Sequence, residues 1–432
     1  MVGHSRPEDG VASLAYVPAR VFSVPVAMND ALKARDAKDV EDAVQWALSE
    51  GKTLDVVGRG SKRALGRPDR PDMTLDLSGL SGVTLYEPEE LVLSAKAGTP
   101  LAEIEALVEQ RGQQLEFEPL DYGPILGGPA EAGSLGGALA ANLSGPRRIK
   151  SGAARDHFLG FSAVSGRGET FKSGGRVVKN VTGYDLCKVL AGSFGTLAAM
   201  SEVTIKVLPR PETEATVLIL GLADADANAA MSAAMTSSCD VSAAAHLPRG
   251  VVMHFAGLYV DQAVTAFRVE GFAPSVKPRK EALMALLRPF GALEAVAESD
   301  SRKLWRSVRD AAPFFANGSV GEWPLWRVST APARGAEFAA KLPPGAQFYY
   351  DWAGGLIWIV LPPSANAGAA TIRRAAASTG GHATLVRAPA ATRGTVEVFE
   401  PQQGVLAGVT RRVKESFDPN GVFNPGRMWA GV

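Results

Sequence analysis

The sequence predicts an α+β protein of two domains, and three observations carry that prediction. At 432 residues the chain is too long for one ordinary hydrophobic core. Its strand-like and helix-like segments do not alternate with the regularity of a doubly wound parallel sheet. The run Pro209-Arg210-Pro211-Glu212 breaks the pattern near the middle, where a linker between domains belongs. The expected division is a leader over residues 1–29, a first domain over 30–210 and a second over 211–432.

Taken in order, residues 1–27 show no periodicity and read as a disordered leader or an over-extended start. A short arm packed on the body is the open alternative. From Asp36 the pattern is helical: Val40, Ala43, Val44, Ala47 and Leu48 share one face, Asp36 suits an N-cap and Gly51 a C-terminal stop. A strand over residues 53–57 runs into Gly58-Arg59-Gly60-Ser61-Lys62. Short strands follow at 73–77, 83–86 and 91–97. Thr99-Pro100 opens a helix whose inner face is Leu101, Ile104, Leu107 and Val108, ended by Gly112. Gly133-Ser134-Leu135-Gly136-Gly137 leads into an alanine-rich helix over 138–142. Ser165-Gly166-Arg167-Gly168-Glu169 is a hairpin turn. Val203, Ile205 and Val207 alternate with polar residues as a half-buried strand closed by Pro209. Beyond the linker, strands and helices alternate to about residue 401, with five of the seven tryptophans in that stretch. The closing Phe417-Asp418-Pro419-Asn420-Gly421 and Phe423-Asn424-Pro425-Gly426 read as turns and not as core.

Composition excludes several classes. With 45 basic and 45 acidic residues, no global field draws nucleic acid or an anionic membrane. No apolar run approaches the length of a membrane span. Two cysteines, Cys187 and Cys239, build no disulfide framework and no iron–sulfur site within this chain, which fits a reducing, cytoplasmic setting.

Two glycine loops ask for close approach of backbone to a ligand. Gly58 and Gly60 follow a strand directly, where successive N–H groups turn inward as an anion nest. Residues 133–137 repeat the logic at a helix start, where the helix dipole and its free N–H groups add attraction. One pyrophosphate between two such loops is a dinucleotide geometry, although each loop taken alone is also a plain tight turn. A Rossmann fingerprint is excluded, because Arg63 stands where the third glycine belongs. A P-loop ending at Gly51-Lys52-Thr53 is excluded by Trp46.

The most specific run is Gly174-Gly175-Arg176-Val177-Val178-Lys179-Asn180-Val181-Thr182-Gly183-Tyr184-Asp185-Leu186, followed by Gly192-Ser193-Phe194-Gly195-Thr196-Leu197. With the two glycine loops it resembles the vanillyl-alcohol-oxidase / p-cresol-methylhydroxylase (PCMH-type) FAD-binding family. Within that family it is similar to the E-type subunits of bacterial glycolate oxidase (glycolate dehydrogenase). Looser resemblance runs through Leu304-Trp305-Arg306-Ser307-Val308-Arg309, Pro324-Leu325-Trp326-Arg327-Val328-Ser329 and Asp351-Trp352-Ala353-Gly354-Gly355-Leu356.

The resemblance implies a PCMH-type FAD-binding domain of two α+β subdomains and a C-terminal antiparallel-sheet cap domain. It implies that Val57, Gly58, Arg59, Gly60, Ser61 and Lys62 wrap the FAD pyrophosphate, with Gly133, Ser134, Leu135, Gly136 and Gly137 against it. Residues 155–158, with Arg155 and Asp156, would line the FAD channel, and residues 192–197, with Gly192, Gly195 and Thr196, would approach the two ring ends together with Ile205. Relatives that bind FAD covalently use His, Cys or Tyr at the first loop or in the cap. The first loop here offers Arg59, Ser61, Lys62 and Arg63, and Cys187 reads as a small buried residue, so non-covalent FAD is expected.

The five histidines, His4, His157, His246, His254 and His382, form no ligand pair, unlike the histidine-rich cap of catalytic D-type relatives. No metal and no assigned catalytic residue is expected. Arg306, Arg309 and Arg327 are the candidate contacts for a substrate carboxylate, with an ordinary ion pair as the plainer account of each.

The implied function is an FAD-carrying subunit of a glycolate oxidase complex, oxidising glycolate, a 2-hydroxy acid, to glyoxylate. Its expected partners are a D-type flavoprotein subunit and an iron–sulfur subunit that takes the electrons, with membrane association only through those partners. The alternatives are a self-sufficient FAD oxidase of another hydroxy acid or alcohol, and a scaffold with a vestigial flavin site.

Overall fold

The first helix, Ala37–Glu50, forms where the sequence places it. The Asp36 side chain accepts from Asp39 N, and Gly51 at φ 61° returns its N–H to Ala47 O. Its buried face, Val40, Ala43, Val44 and Ala47, packs on Leu54 and Leu75 of a small parallel sheet. That sheet has the order Ala31–Lys33, Met73–Asp76, Leu54–Val57. This is the computed structural model of the chain, and it describes residues 31–68, 71–176 and 183–432. The predicted leader, residues 1–29, and residues 177–182 of the signature run lie outside the described residues.

A second, antiparallel sheet has the order Val83–Glu87, Val92–Lys96, Ala198–Lys206, Phe158–Ser165, Thr170–Gly174. Helices Leu101–Glu109 and Leu135–Ala140 cover it through Ile104, Val108, Leu135 and Leu139. The strand expected to be half-buried is its centre. Val203, Ile205 and Thr204 are all buried, and Thr204 Oγ1 bonds Ser94 Oγ at 2.8 Å. Helix Ala37–Glu50 packs against the other face of this sheet at Ala199 and Val164, which alternation alone does not reveal.

After Pro211 the chain builds an eight-stranded antiparallel sheet. Its order is Leu293–Val296, Thr213–Leu220, Val264–Gly271, Val241–Leu247, Gln347–Asp351, Leu356–Val360, Leu325–Ser329, His382–Arg387. Along Leu356–Val360 the side chains alternate between two cores. Leu356, Trp358 and Val360 join a cluster with Tyr122 and Leu143 of the first lobe, while Ile357 and Ile359 face the outer layer with Ile372.

Between the two lobes lies a buried charge network. Arg147 pairs with Glu118 at 2.9 Å and Glu270 at 2.5 Å, and Arg268 with the same two carboxylates at 3.0 and 3.3 Å. Two arginines and two glutamates balance. Burial raises the Glu270 carboxyl, but Arg268 and Arg147 outweigh burial and hold it down at about 2.

The C-terminal segment returns to the first lobe, where the sequence reading of it is corrected. Residues 417–426 are not merely turns: Phe423 and Asn424 are fully buried and Val422 and Asp418 nearly so. Leu54 N donates to Val422 O (2.7 Å), Asn424 N to Leu54 O (2.9 Å), and Val56 N to Asn424 Oδ1 (2.8 Å), so this stretch extends the parallel sheet. Lys414, on helix Gly404–Phe417, donates through Nζ to Asp418 Oδ2 (2.7 Å), Thr196 O (2.7 Å) and Phe423 O (2.9 Å). Leu54 and Val56, with which residues 422–424 pair, lie hundreds of residues away, so local turn chemistry conceals the burial.

Two outcomes follow from these buried charges. Asp418→Asn leaves the Lys414 ammonium buried without its counter-ion and should lower the unfolding free energy by about 3–5 kcal/mol in chemical denaturation. For Glu270, a depressed folded value means its stabilisation is present above the ordinary 4.5 and lost as the pH falls toward about 2. The stability advantage of the wild type over Glu270→Gln should therefore hold near neutrality and shrink below about pH 5. An advantage that grows on acidification would contradict this placement of the charge.

Candidate cofactor cleft

Strand Leu54–Val57 ends in a loop whose shape is set by contact with the second glycine loop. A Cβ on Gly58 would lie 2.4 Å from Ser134 Oγ, and Gly60 has φ +81°, a left-handed conformation that glycine adopts without strain. The backbone N–H groups of Gly58, Arg59, Gly60, Ser61 and Lys62 make no hydrogen bond among the described residues. Five consecutive donors thus border a cleft between the two glycine loops.

The second loop contributes differently from the sequence expectation. Three of its N–H groups are already engaged: Leu135 N donates to Thr99 O (2.9 Å), Gly136 N to Ala97 O (2.8 Å) and Gly137 N to Ser134 Oγ (3.3 Å). A Cβ on Gly136 would stand 2.7 Å from Ala97 Cβ. These glycines let the helix press on the end of a strand and leave room for a ligand. Gly136 and Gly137 do not offer it free donors.

Positive charge enters from two directions. Lys62 Nζ bonds Ser61 Oγ at 3.1 Å and lies 3.5 Å from where a Gly137 Cβ would be. Burial pushes its ammonium down to about 8; Asp121 opposes that shift, and the Arg427 guanidinium adds to it. Arg427, from the C-terminal segment, borders the cleft, donates to Lys62 O at 2.9 Å and lies 3.6 Å from Asp55. Arg63 is held by Asp55 at 2.7 Å. Two adjacent cations beside five free N–H donors make a strongly anion-attracting wall, and Leu77, Leu190, Phe194 and Met200 form an apolar one. Among the described residues bordering the cleft there is no His, Cys or Tyr.

Of the residues expected from the sequence, Val57, Gly58, Arg59, Gly60, Ser61, Lys62, Ser134, Gly136, Gly137 and Gly195 border this cleft together. The others stand apart from it. Leu135 and Ile205 are fully buried in the core of the antiparallel sheet. Gly133 accepts from Leu101 N at its carbonyl. Thr196 is buried, with Oγ1 bonded to Ser193 O and its carbonyl to Lys414. Gly192 lies against Asn142. Arg155 and Asp156 are exposed, with Asp156 accepting from Ala153 N at 2.8 Å. Sequence reasoning included Phe194 only within the run 192–197 and missed Leu190 and Arg427. Only Arg427, next to the closing Asn424-Pro425-Gly426 turn, had a local cue.

The candidate carboxylate contacts separate. Arg309 is bound to its neighbour Asp310 at 2.8 and 2.7 Å, and the exposed Arg306 sits by the balanced charge network. Arg327 lies elsewhere, its guanidinium carbon 5.0 Å from the centre of the Trp352 ring. His246 and His157 are core histidines, bonded to Thr265 and Asp224, and to Ser151 O, respectively.

Comparison with known proteins agrees with this geometry. An FAD binding domain family model matches residues 31–174. The chain is 35% identical over 391 residues to the glycolate oxidase subunit GlcE of Escherichia coli (strain K12), spanning 90% of this chain and 96% of that protein. It is 29% identical over 280 residues to the glycolate oxidase subunit GlcD of Bacillus subtilis (strain 168), spanning 64% and 54% respectively. Among solved structures, p-cresol methylhydroxylase with substrate bound aligns with a TM-score of 0.65 at 14% identity, over 92% of this chain and 88% of that one. That likeness is one of fold, and the α+β architecture is of the PCMH type. Among the described residues no helix is long and apolar enough to cross a membrane. The chain belongs to the family of the glycolate oxidase subunit GlcE and is an FAD-dependent oxidoreductase.

Proposed function

We propose that this chain holds FAD non-covalently in the cleft and serves as the FAD-carrying subunit of a glycolate oxidase (glycolate dehydrogenase) complex, which oxidises glycolate to glyoxylate. The observation that carries the FAD placement is the run of five unpaired N–H groups at residues 58–62, flanked by Lys62 and Arg427. A pyrophosphate suits that wall because its oxygens accept several oriented donors at once and its charge offsets two crowded cations. Gly58 and Gly60 keep side chains out of its path, and the apolar wall with Phe194 takes a flat ring. Non-covalent attachment is supported by the lack of His, Cys or Tyr among the described residues that border the cleft.

On this reading residues 30–210 are the FAD-binding domain and residues 211–432 the cap, whose final helix and Arg427 reach back to close the cleft. FAD, when bound, supplies a hydride acceptor. The chain's own residues bind it, orient it and exclude water. The reading extends to the partners: a D-type flavoprotein subunit, as similarity to both GlcE and GlcD relatives suggests, and an iron–sulfur subunit that accepts the electrons. Both cysteines of this chain are buried singly, so cluster thiolates would come from that partner.

Replacing Lys62 or Arg427 with Gln should each weaken FAD retention by about tenfold or more, the scale of one charge-assisted contact. Flavin absorbance after dialysis measures it, and undiminished retention in both variants would displace the pyrophosphate from this wall. Affinity purification from cells making the whole complex should recover a second flavoprotein and an iron–sulfur protein. The purified chain alone should turn over glycolate poorly with an artificial acceptor. Robust turnover by the isolated chain would favour a self-sufficient oxidase, and a chain that neither carries nor takes up FAD would favour a scaffold.

A further inference from the structure

Two arginines from opposite lobes meet on one tryptophan. Arg148, at the start of Arg148–Ser151 in the first lobe, places its guanidinium carbon 4.3 Å from the Trp352 ring centre. Arg327, inside the eight-stranded sheet, places its own at 5.0 Å. Both are half-buried, and neither guanidinium makes a hydrogen bond or ion pair with any described residue. The other inward arginines of this region are satisfied: Arg147 and Arg268 by two glutamates, Arg309 by Asp310, and Arg387 by backbone carbonyls including Ile125 O and Phe314 O. Burial pushes Arg148 below its ordinary value, and the charge of Arg327 pushes it further. Withdrawing two like charges from water side by side is unfavourable unless an anion joins them.

The ring between them is held in a costly backbone conformation. Trp352 and Ala353 have φ of +50° and +54°, the left-handed region that non-glycine residues seldom occupy. The turn is fixed by Trp352 N donating to Asp351 Oδ1 (2.7 Å) and by the indole Nε1–H donating to Gly145 O in the first lobe (2.9 Å). Asp351 forms no ion pair with either arginine; burial pushes its carboxyl up to about 7 against the opposing charges of Arg268 and Arg327. Tyr122 stands beside Arg327 from the first lobe, nearly buried. The strand-helix segment that begins at the cleft, with Ser134, Gly136 and Ala141 on its wall, runs on to Gly145 and Arg148. Arg148 therefore lies further along the same segment that borders the cofactor cleft, and Arg327 meets it from the eight-stranded sheet across Trp352.

We infer that Arg148 and Arg327, stacked on Trp352, form a binding site for the carboxylate of a small organic acid, so that this chain itself receives an acidic substrate between its lobes. Guanidinium groups present paired donors that match a carboxylate, and the indole face suits the short carbon chain. That the acid is the glycolate handled by the complex rests on the function proposed above; that a carboxylate binds here does not.

Calorimetric titration of the FAD-loaded full chain with glycolate, with redox-inert oxalate, and with neutral ethylene glycol tests the site. The expected result is binding of both acids, no binding of ethylene glycol, and affinity for oxalate reduced by about tenfold or more in Arg148→Gln and in Arg327→Gln. Arg327→Lys, which keeps the charge and loses the planar fork, should fall between. Wild-type protein that binds neither acid, or Gln variants that fold by thermal melting and bind oxalate undiminished, would overturn the inference. An acidic side chain of a partner subunit as the true occupant would appear as the first of those results. Flavin content is read separately by absorbance: its loss counts against the cleft assignment, while the oxalate titration still decides the arginine site.

Discussion

The short loop from Gly58 to Lys62 can leave five N–H groups unpaired only because everything around it is tied down. Its strand is flanked on one side by Met73–Asp76 and on the other by the returning chain at Phe423. Its far side touches Ser134, and Arg427 grips the carbonyl of Lys62. A free loop with that many unsatisfied donors would fold onto its own carbonyls or into solvent. Here the neighbours fix its path, and the donors stay available for a ligand.

The same constraint explains the buried Lys414–Asp418 pair. Asp418 accepts from Val422 N and Phe423 N while Lys414 reaches Thr196 O and Phe423 O, so one ion pair aligns the C-terminal segment against both the glycine loop's strand and the turn at residues 193–196. Breaking it would loosen the cleft from two sides. The charge network of Glu118, Arg147, Arg268 and Glu270 plays the corresponding part between the lobes, and its internal balance sets it apart from Arg148 and Arg327, which have no such partners. Stability and recognition are thus divided between neighbouring arginines: Arg147 closes a network, and Arg148, next in sequence, does not.

Much of this was legible in the sequence where the signal is local. The helix at Ala37–Glu50 announced itself through spacing and both caps, and Gly58 and Gly60 through their place after a strand. The resemblance carried by residues 174–197 supplied the cofactor. What was not legible depends on distant chain. Residues 422–424 pair with Leu54 and Val56, so glycine and proline cues marked them as turns although they are buried. The donors of Leu135, Gly136 and Gly137 are taken by Thr99, Ala97 and Ser134, and no local pattern tells a used N–H from a free one. Arg327 was one of three equivalent-looking arginines. Only the fold separates it from Arg309, which Asp310 occupies, and brings Arg148 to the same ring.

The account stands most directly on where the pyrophosphate lies. A crystal structure of the FAD-loaded chain should place its oxygens within hydrogen-bonding distance of the N–H groups of residues 58–62, with Lys62 and Arg427 alongside. A pyrophosphate held instead by residues 133–137, or outside the cleft, would contradict it.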